Sequence, residues 1–331
     1  MKLKQTAILW GILIPLFAFL FLSCEDENMQ GQENETLNLS GQLIFPHAGD
    51  IFRYDLASGN RDFFVERKGR QGPFFSPDRS FFVTNNWPGN NEGVAISNLQ
   101  NGLIGNEFSL SSALLSDQLG VKVAPEAAYF SAIINPPLGQ NPDLLLLDDK
   151  GEVKGRLDGD LIRYRGHIWD REYNLYFTGE ILEGGSSGQL ILAKLSGVQS
   201  SDFKIEVIRS FEGRYSDLPQ DLSVSSDSKQ ICYAYNREIW LGSTSQEATD
   251  HRKCFEAVQT LARPVFSPDA AYIAMAMLNS STSLRGDIHI AKIPESGFTQ
   301  LSADGSSKLA GPNSDNSTWT SGGDSSMAWI E

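Results

Sequence analysis

The stretch ARPVFSPDAAYIAMAMLNSSTSLRGDIHIAKIPE, Ala262 to Glu295, decides how the chain is read. Apolar Val265-Phe266 runs into Ser267-Pro268-Asp269, where proline fixes φ and aspartate bonds its own backbone to make a tight turn. A second apolar run, Tyr272 to Leu278, follows. A polar loop then leads into Gly286-Asp287-Ile288-His289-Ile290-Ala291. Short apolar runs bounded by turn residues read as strands. With a fourth strand expected in Gly297 to Ser302, the stretch describes one four-stranded antiparallel unit.

The unit recurs along the chain. Aligned on the turn between first and second strands are Phe75-Ser76-Pro77-Asp78, Ala124-Pro125-Glu126, Trp169-Asp170-Arg171, Ser225-Ser226-Asp227, Phe266-Ser267-Pro268-Asp269 and Ser321-Gly322-Gly323-Asp324. Their spacings of roughly 42 to 57 residues fall near the range of propeller blades. The third copy departs furthest, with Arg171 in the aspartate's place. At the N-terminal end, Gly49-Asp50-Ile51-Phe52 repeats the Gly-Asp-Ile third strand, and Arg61 to Glu66 supplies a fourth. This count gives about 25 strands where six four-stranded blades need 24. Leu43-Pro46 and Met327-Ile330 therefore compete for one strand position in a ring closed by pairing its two ends.

Ser-Pro-Asp turns followed by an apolar strand and a Gly/Asp-Ile-x-x strand resemble the TolB-like (WD40-like, PD40) repeat, and the resemblance covers about residues 41–331. It implies an all-β fold, a six-bladed β-propeller of four-stranded antiparallel blades. The Ser-Pro-Asp motif itself reads as a folding device and not as a site.

Ahead of the repeats, Lys2 and Lys4 precede an apolar run, Ala7 to Leu22, that ends in Phe21-Leu22-Ser23-Cys24. The run is short for a spanning helix and resembles a bacterial lipoprotein signal peptide. Residues 1–23 would then be removed and Cys24 would carry the palmitate and diacylglycerol anchor; an uncleaved anchor or a simple signal peptide are the alternatives. Glu25-Asp26-Glu27 opens a polar tract that reads as a flexible acidic tether over residues 24–40. An acidic cluster behind the cysteine resembles the export signal of surface lipoproteins in Bacteroidota. The expected location is therefore an outer-membrane lipoprotein exposed on the cell surface, with the periplasmic face as the alternative.

The chain holds 27 Lys and Arg against 41 Asp and Glu, a net charge of −14. Without the two lysines of the leader the balance is about −16, which argues against nucleic acid, since that partner demands basic surface. Besides Cys24, only Cys232 and Cys254 are present. The blade register puts them on the second and fourth strands of one blade, nearly 10 Å apart and beyond disulfide reach, so both are expected as buried free thiols.

Gly184-Gly185-Ser186-Ser187-Gly188 matches G-x-S-x-G, but a nucleophile elbow needs a strand before it and a helix after it, and here strands are expected on both sides. His47, His167, His251 and His289 fall in different units, so no metal set converges. No dinucleotide or phosphate fingerprint occurs, and no cofactor is expected. His167 starts an expected inner strand and faces either the channel or the wall.

The loops entering each first strand carry Lys68, Arg70, Lys122, Arg163, Arg165, Arg214 and Arg263, with Tyr164 and Tyr215 beside them. Five of six blades thus bring a cation to one rim, either as a positive mouth for an anionic peptide or glycan or as guanidiniums that fix blade packing. Trp87, in a longer loop on the same face, is an anchor candidate. The expected function is a noncatalytic, lipid-anchored binding or scaffold protein of the envelope. The alternative is a propeller enzyme, a lyase or glycosidase acting on an acidic polysaccharide.

Overall fold

The structure is a computed structural model that describes residues 39–47, 50–65, 71–85, 94–100, 103–110, 118–134, 141–182, 188–245, 250–278, 286–303, 305, 307–309 and 327–331. Cys24, Lys68, Arg70, Trp87, most of the Gly184 to Gly188 loop and the Ser321 to Asp324 turn lie outside them.

The first blade holds β1 (Gln42–His47), β2 (Asp50–Asp55) and β3 (Arg61–Val65). The second holds β4 (Gln71–Phe75), β5 (Phe81–Asn85), β6 (Val94–Gln100) and β7 (Leu103–Leu110). The third holds β8 (Gln118–Val123), β9 (Tyr129–Ile134), β10 (Asp143–Asp148) and β11 (Val153–Leu157). The fourth holds β12 (Ile162–Trp169), β13 (Leu175–Ile181), β14 (Leu190–Ser196) and β15 (Lys204–Phe211). The fifth holds β16 (Leu222–Val224), β17 (Gln230–Tyr235), β18 (Glu238–Ser243) and β19 (Arg252–Ala257). The sixth holds β20 (Thr260–Phe266), β21 (Tyr272–Leu278) and β22 (Gly286–Lys292), after which come β23 (Thr299–Leu301) and β24 (Ala328–Ile330). Within each blade, successive strands pair antiparallel. The only helices among the described residues are two single 3₁₀ turns, Pro125–Ala127 and Tyr215–Asp217.

Six apolar clusters, one per seam between neighbouring blades, form the core. Blades one and two meet through Ile44, Ile51, Phe64 and Phe82. Blades three and four meet through Ile133, Leu144, Tyr164 and Phe177. A strand with a neighbour on both faces buries both sets of side chains, which is why Tyr272–Leu278 and Leu175–Ile181 read as continuous apolar runs. Where the inner ends of blades four and five converge, side chains run out of room. A Cβ on Gly166 would lie 2.5 Å from the Gln220 carbonyl oxygen, so only glycine fits at the bulge between Tyr164 and Gly166.

Ring closure differs from the expectation in its register. Leu43-Pro46 and Met327-Ile330 do not compete. β1 pairs with β2 on one side and with β24 on the other, so the C-terminal strand is the innermost of blade one and the N-terminal strand is its second. Blade six departs from the expectation as well. β23, expected as the outer strand of blade six, instead adds in parallel to the edge of β19 in blade five, pairing Phe255 with Thr299 and Ala257 with Leu301. Leu301 is buried in the seam between these blades, which draws the segment across. Residues 307–309 take the vacated place beside β22: Ile290 N–H donates to the Ser307 carbonyl at 2.7 Å, and Leu309 N–H donates to the Ile288 carbonyl at 2.8 Å.

Cys232 and Cys254 are free and fully buried in the same seam. Burial pushes the Cys254 thiol up to about 12, far from the range in which a thiolate forms at neutral pH. The two segments flanking the Gly184 to Gly188 loop are the strands β13 and β14, which pair as a hairpin and do not form a nucleophile elbow.

Candidate functional site

All six inner strands line one central cavity of about 290 Å³, through Phe74, Lys122, Trp169, Ser223, Arg263 and Trp329. The inner strands run the same way, so their ends and the turns that follow them gather at one end of the cavity. Asp78, Arg79, Asp170, Arg171, Ser226, Pro268 and Glu331 form this mouth.

The turns owe their shape to the repeated motif. Ser76 N–H donates to the Phe81 carbonyl, and Phe81 N–H donates back to Ser76 Oγ at 3.0 Å. Ser225 with Gln230, and Ser267 with Tyr272, repeat this exchange at 2.9 Å. The residue after each aspartate enters the left-handed region: Arg79 at φ 62°, Ser228 at 60° and Ala270 at 56°. The fourth-blade turn is one residue shorter. There Asp170 takes the serine's role, accepting from Asn174 N–H at 2.9 Å, so Arg171 occupies the proline's position and not the aspartate's.

Beyond shaping its own blade, the motif ties blades together. Asp78 Oδ2 accepts from Glu126 N–H at 3.1 Å, linking blades two and three. Arg171 N–H donates to Ser228 Oγ at 3.2 Å, linking four and five. Ser226 Oγ donates to the Pro268 carbonyl at 2.8 Å, linking five and six. Arg171 Nε reaches past blade three to the Pro77 carbonyl at 3.2 Å.

The two mouth aspartates are already engaged. Asp170, 1% exposed, accepts from Glu172 N–H, Asn174 N–H, Asn174 Nδ2 and Tyr176 Oη at 2.8 to 3.0 Å. Burial pushes the Asp78 carboxyl up, yet bonds from Ser76, Ser80 and Glu126 hold it below its ordinary value. Burial, reinforced by the charge of Arg171 and only partly offset by Asp78, pushes the Arg79 guanidinium down to about 10. Deeper in, Lys122 Nζ sits 3.4 Å from the centroid of the Phe74 ring. Arg263 is 7% exposed, with φ 54°, inside the bulge that interrupts β20 between Ala262 and Val265. The cavity therefore collects Arg79, Lys122, Arg171 and Arg263 from blades two, three, four and six.

The residues singled out in the sequence separate on this geometry. Arg263 and Lys122 line the cavity. Arg163, Tyr164, Arg165 and Tyr215 interlock at the start of β12: Tyr215 Oη donates to the Tyr164 carbonyl at 2.6 Å, and the Arg163 guanidinium stacks 3.8 Å from the Tyr215 ring centroid. Arg165 Nε donates to the Leu218 carbonyl at 3.0 Å, and Arg163 approaches Glu180 at 4.0 Å. The contacts of Tyr215 and of Arg165 with Leu218 join blade four to the loop entering blade five, while the Arg163–Glu180 approach stays within blade four. Arg214 is exposed and starts the Tyr215–Asp217 turn, its N–H donating to Asp217 Oδ2 at 2.9 Å.

His167 lies well inside β12 and not at its start. It is 3% exposed and donates Nε2–H to the Ser131 carbonyl at 3.3 Å, across the seam to blade three. Burial, with Lys122 nearby, pushes its pKa down to about 3. The folded state thus refuses a proton that the unfolded chain accepts near pH 6.5. The contribution of His167 to stability is full above about pH 6.5 and falls as pH drops from there toward 3, by about 1.4 kcal/mol per unit. His167→Gln is expected to remove this slope. In urea titrations at pH 7 and 5, the variant should lose about 2 kcal/mol less than the parent over that interval.

One cluster had no signal in the sequence. Arg209 Nη1 donates to Tyr233 Oη, which bonds His251 Nδ1 at 3.0 Å, and the guanidinium lies 4.3 Å from the Trp240 ring centroid. Its four members, on β15, β17, β18 and just ahead of β19, come from two blades, a juxtaposition that only the fold creates. Tyr233 is fully buried, so the cluster acts as a seam contact. Among the described residues, no three His, Cys, Asp or Glu side chains are grouped to hold a metal.

Solved structures with this arrangement of blades are numerous. TolB from Acinetobacter baumannii superposes with a TM-score of 0.53 at 13% identity, covering 88% of this chain and 66% of that one. A putative TolB from Agrobacterium tumefaciens gives 0.52 at 11%, covering 76% and 83%. The fold is that of a TolB-like β-propeller. A chain of the nidogen/laminin complex matches this TolB-like ring with a TM-score of 0.59 at 11% identity, covering 88% and 99%. No protein-family model and no curated protein matches the sequence. The likeness is therefore one of architecture, and the cations at the mouth of this TolB-like ring are read from its own residues.

Proposed function

We propose that this protein is a noncatalytic binding or scaffold module of the bacterial envelope, held at the outer membrane through a lipidated Cys24 and exposed at the cell surface, which engages an anionic group of its partner at the turn-lined end of the propeller. The observation that carries this reading is the gathering of Arg79, Lys122, Arg171 and Arg263 from four blades around one central cavity, in a chain of net charge −14. These four cations share the cavity with Asp78, Asp170, Asp221 and Glu331, and because Asp78 and Asp170 are held by other donors, the guanidiniums offer an anion a partner inside an acidic protein. A TolB-like ring suits such a role because its blades present loops from six directions to one axis, and the solved structure of the nidogen/laminin complex contains a ring of this kind.

Affinity purification of the native chain from detergent-solubilised outer membrane tests the scaffold role. A stoichiometric envelope partner is expected. Recovery of none, together with turnover of an acidic polysaccharide, sinks the proposal. The anchor is tested separately: Cys24→Ser should abolish palmitate incorporation and release the protein from the membrane fraction.

A further inference from the structure

Four facts about the mouth concern what it would hold. First, Arg79 and Arg171, from the turns of blades two and four, line the same mouth, and Arg171 Nε reaches the Pro77 carbonyl of the turn that carries Arg79, although blade three separates their chains. Second, among the described residues neither forms an ion pair with a carboxylate, Asp78 only partly offsetting the surroundings of Arg79. Among the described residues the Arg79 side chain makes no hydrogen bond or ion pair, and the Arg171 side chain makes a single bond, through Nε to the Pro77 carbonyl. Third, both aspartates of the mouth are held by other donors: Asp170 by four bonds, Asp78 by Ser80 and the Glu126 N–H. Fourth, the cavity behind the arginines is lined by the aromatic Phe74, Trp169 and Trp329 together with Lys122, whose ammonium lies over the Phe74 ring, and Arg263, and its 290 Å³ is at the small end of ligand sites.

Two like charges at one mouth, with Asp78 and Asp170 already engaged, form an incomplete arrangement. An oxyanion completes it, since a guanidinium fork matches a carboxylate with two parallel bonds. The mouth also presents Asp78, Asp170 and Glu331, which oppose a second negative charge on the ligand.

We infer that Arg79 and Arg171 clamp the carboxylate of a small monoanionic ligand whose apolar or aromatic body occupies the cavity behind them. This rests on the binding-protein reading above and gives it a ligand class. Arg79 is the deeper donor and Arg171 the outer one, exposed at the rim and aligned by its bond to Pro77. Arg163 and Arg165, engaged with Tyr215 and Leu218 in the seam, take no part.

The test is calorimetric titration of the detergent-solubilised full chain at low salt with phenylacetate, its uncharged analogue 2-phenylethanol, and inorganic phosphate. Phenylacetate is expected to bind, phenylethanol to be silent and phosphate to be weaker. Arg79→Gln and Arg171→Gln should each weaken phenylacetate about tenfold, the order of a lost charge-assisted bond, and together abolish it. Arg79→Lys keeps the charge without the fork and should fall between parent and Arg79→Gln. Arg163→Gln should leave affinity unchanged. A thermal melt of each variant confirms that the ring is intact.

The proposal is overturned if no phenylacetate binding is seen at any soluble concentration, if the double variant binds like the parent, or if phosphate binds more tightly than phenylacetate. An envelope partner captured equally by the parent and by the double variant would leave the scaffold role standing and remove this ligand site.

Discussion

Deleting residues 327–331 is expected to abolish cooperative folding. β24 is the inner strand of blade one and lies between two seams. Met327 and Trp329 pack with Val265, Ala274 and Ile288 of blade six, while Ala328 and Ile330 face Phe64 of blade one and Phe82 of blade two. Trp329, 2% exposed, also donates Nε1–H to the Ser40 carbonyl at 3.0 Å. Three large apolar side chains at about 1.5–3 kcal/mol each give roughly 5–9 kcal/mol, comparable with the whole stability of a typical domain. The edge of β1 would be stripped as well, leaving unpaired backbone next to the cavity. Circular dichroism during heating should show a broad, shallow change in place of one sharp transition. A sharp transition within a few degrees of the full chain would show that the ring closes by other means.

Asp170→Ala is expected to cost about 3–5 kcal/mol, the scale for removing one member of a buried charged network. Four donors converge on this carboxylate, and Asn174 and Tyr176 are themselves buried, so water cannot replace it. Asp170→Asn keeps one acceptor oxygen but turns an NH₂ toward existing donors, and should fall between parent and alanine variant. Urea unfolding with an unchanged slope and a lowered midpoint is the signature. A loss below about 1 kcal/mol would mean that Asn174 and Tyr176 find other partners.

The cost at Asp170 shows how much of the architecture the sequence carries. Ser-Pro-Asp followed by an apolar run gave most strands and the six-blade count because proline, a serine hydroxyl and a left-handed residue build one turn wherever they occur. Where the motif degrades, chemistry was preserved under another spelling: Asp170 does what serine does elsewhere, and alignment by residue type placed Arg171 one position off. Thr299–Leu301 is too short to carry a period, so its transfer to blade five depended on where Leu301 could be buried. The basic rim was legible as composition but not as geometry. Tyr215 reaches across a seam to the Tyr164 carbonyl and brings Arg163 onto its ring, whereas Arg79 and Arg171, within the turns themselves, face the cavity. Which cations converge depends on distances between blades that no single repeat encodes.

The transfer of β23 also bears on self-association. A propeller's outer strands expose a row of unpaired amides and carbonyls, a template onto which a second molecule can add. In blades three and four that row is flanked by charge, Lys154 and Arg156 on β11 and Lys204 and Glu206 on β15, the usual guard against edge-to-edge growth. Blade five has a different guard, because β23 already occupies its rim along Phe255, Glu256 and Ala257. The free edge of the fifth blade is thus the three-residue β23 in place of the six-residue β19, so another copy adding a strand there would find a much shorter template than at the other rims.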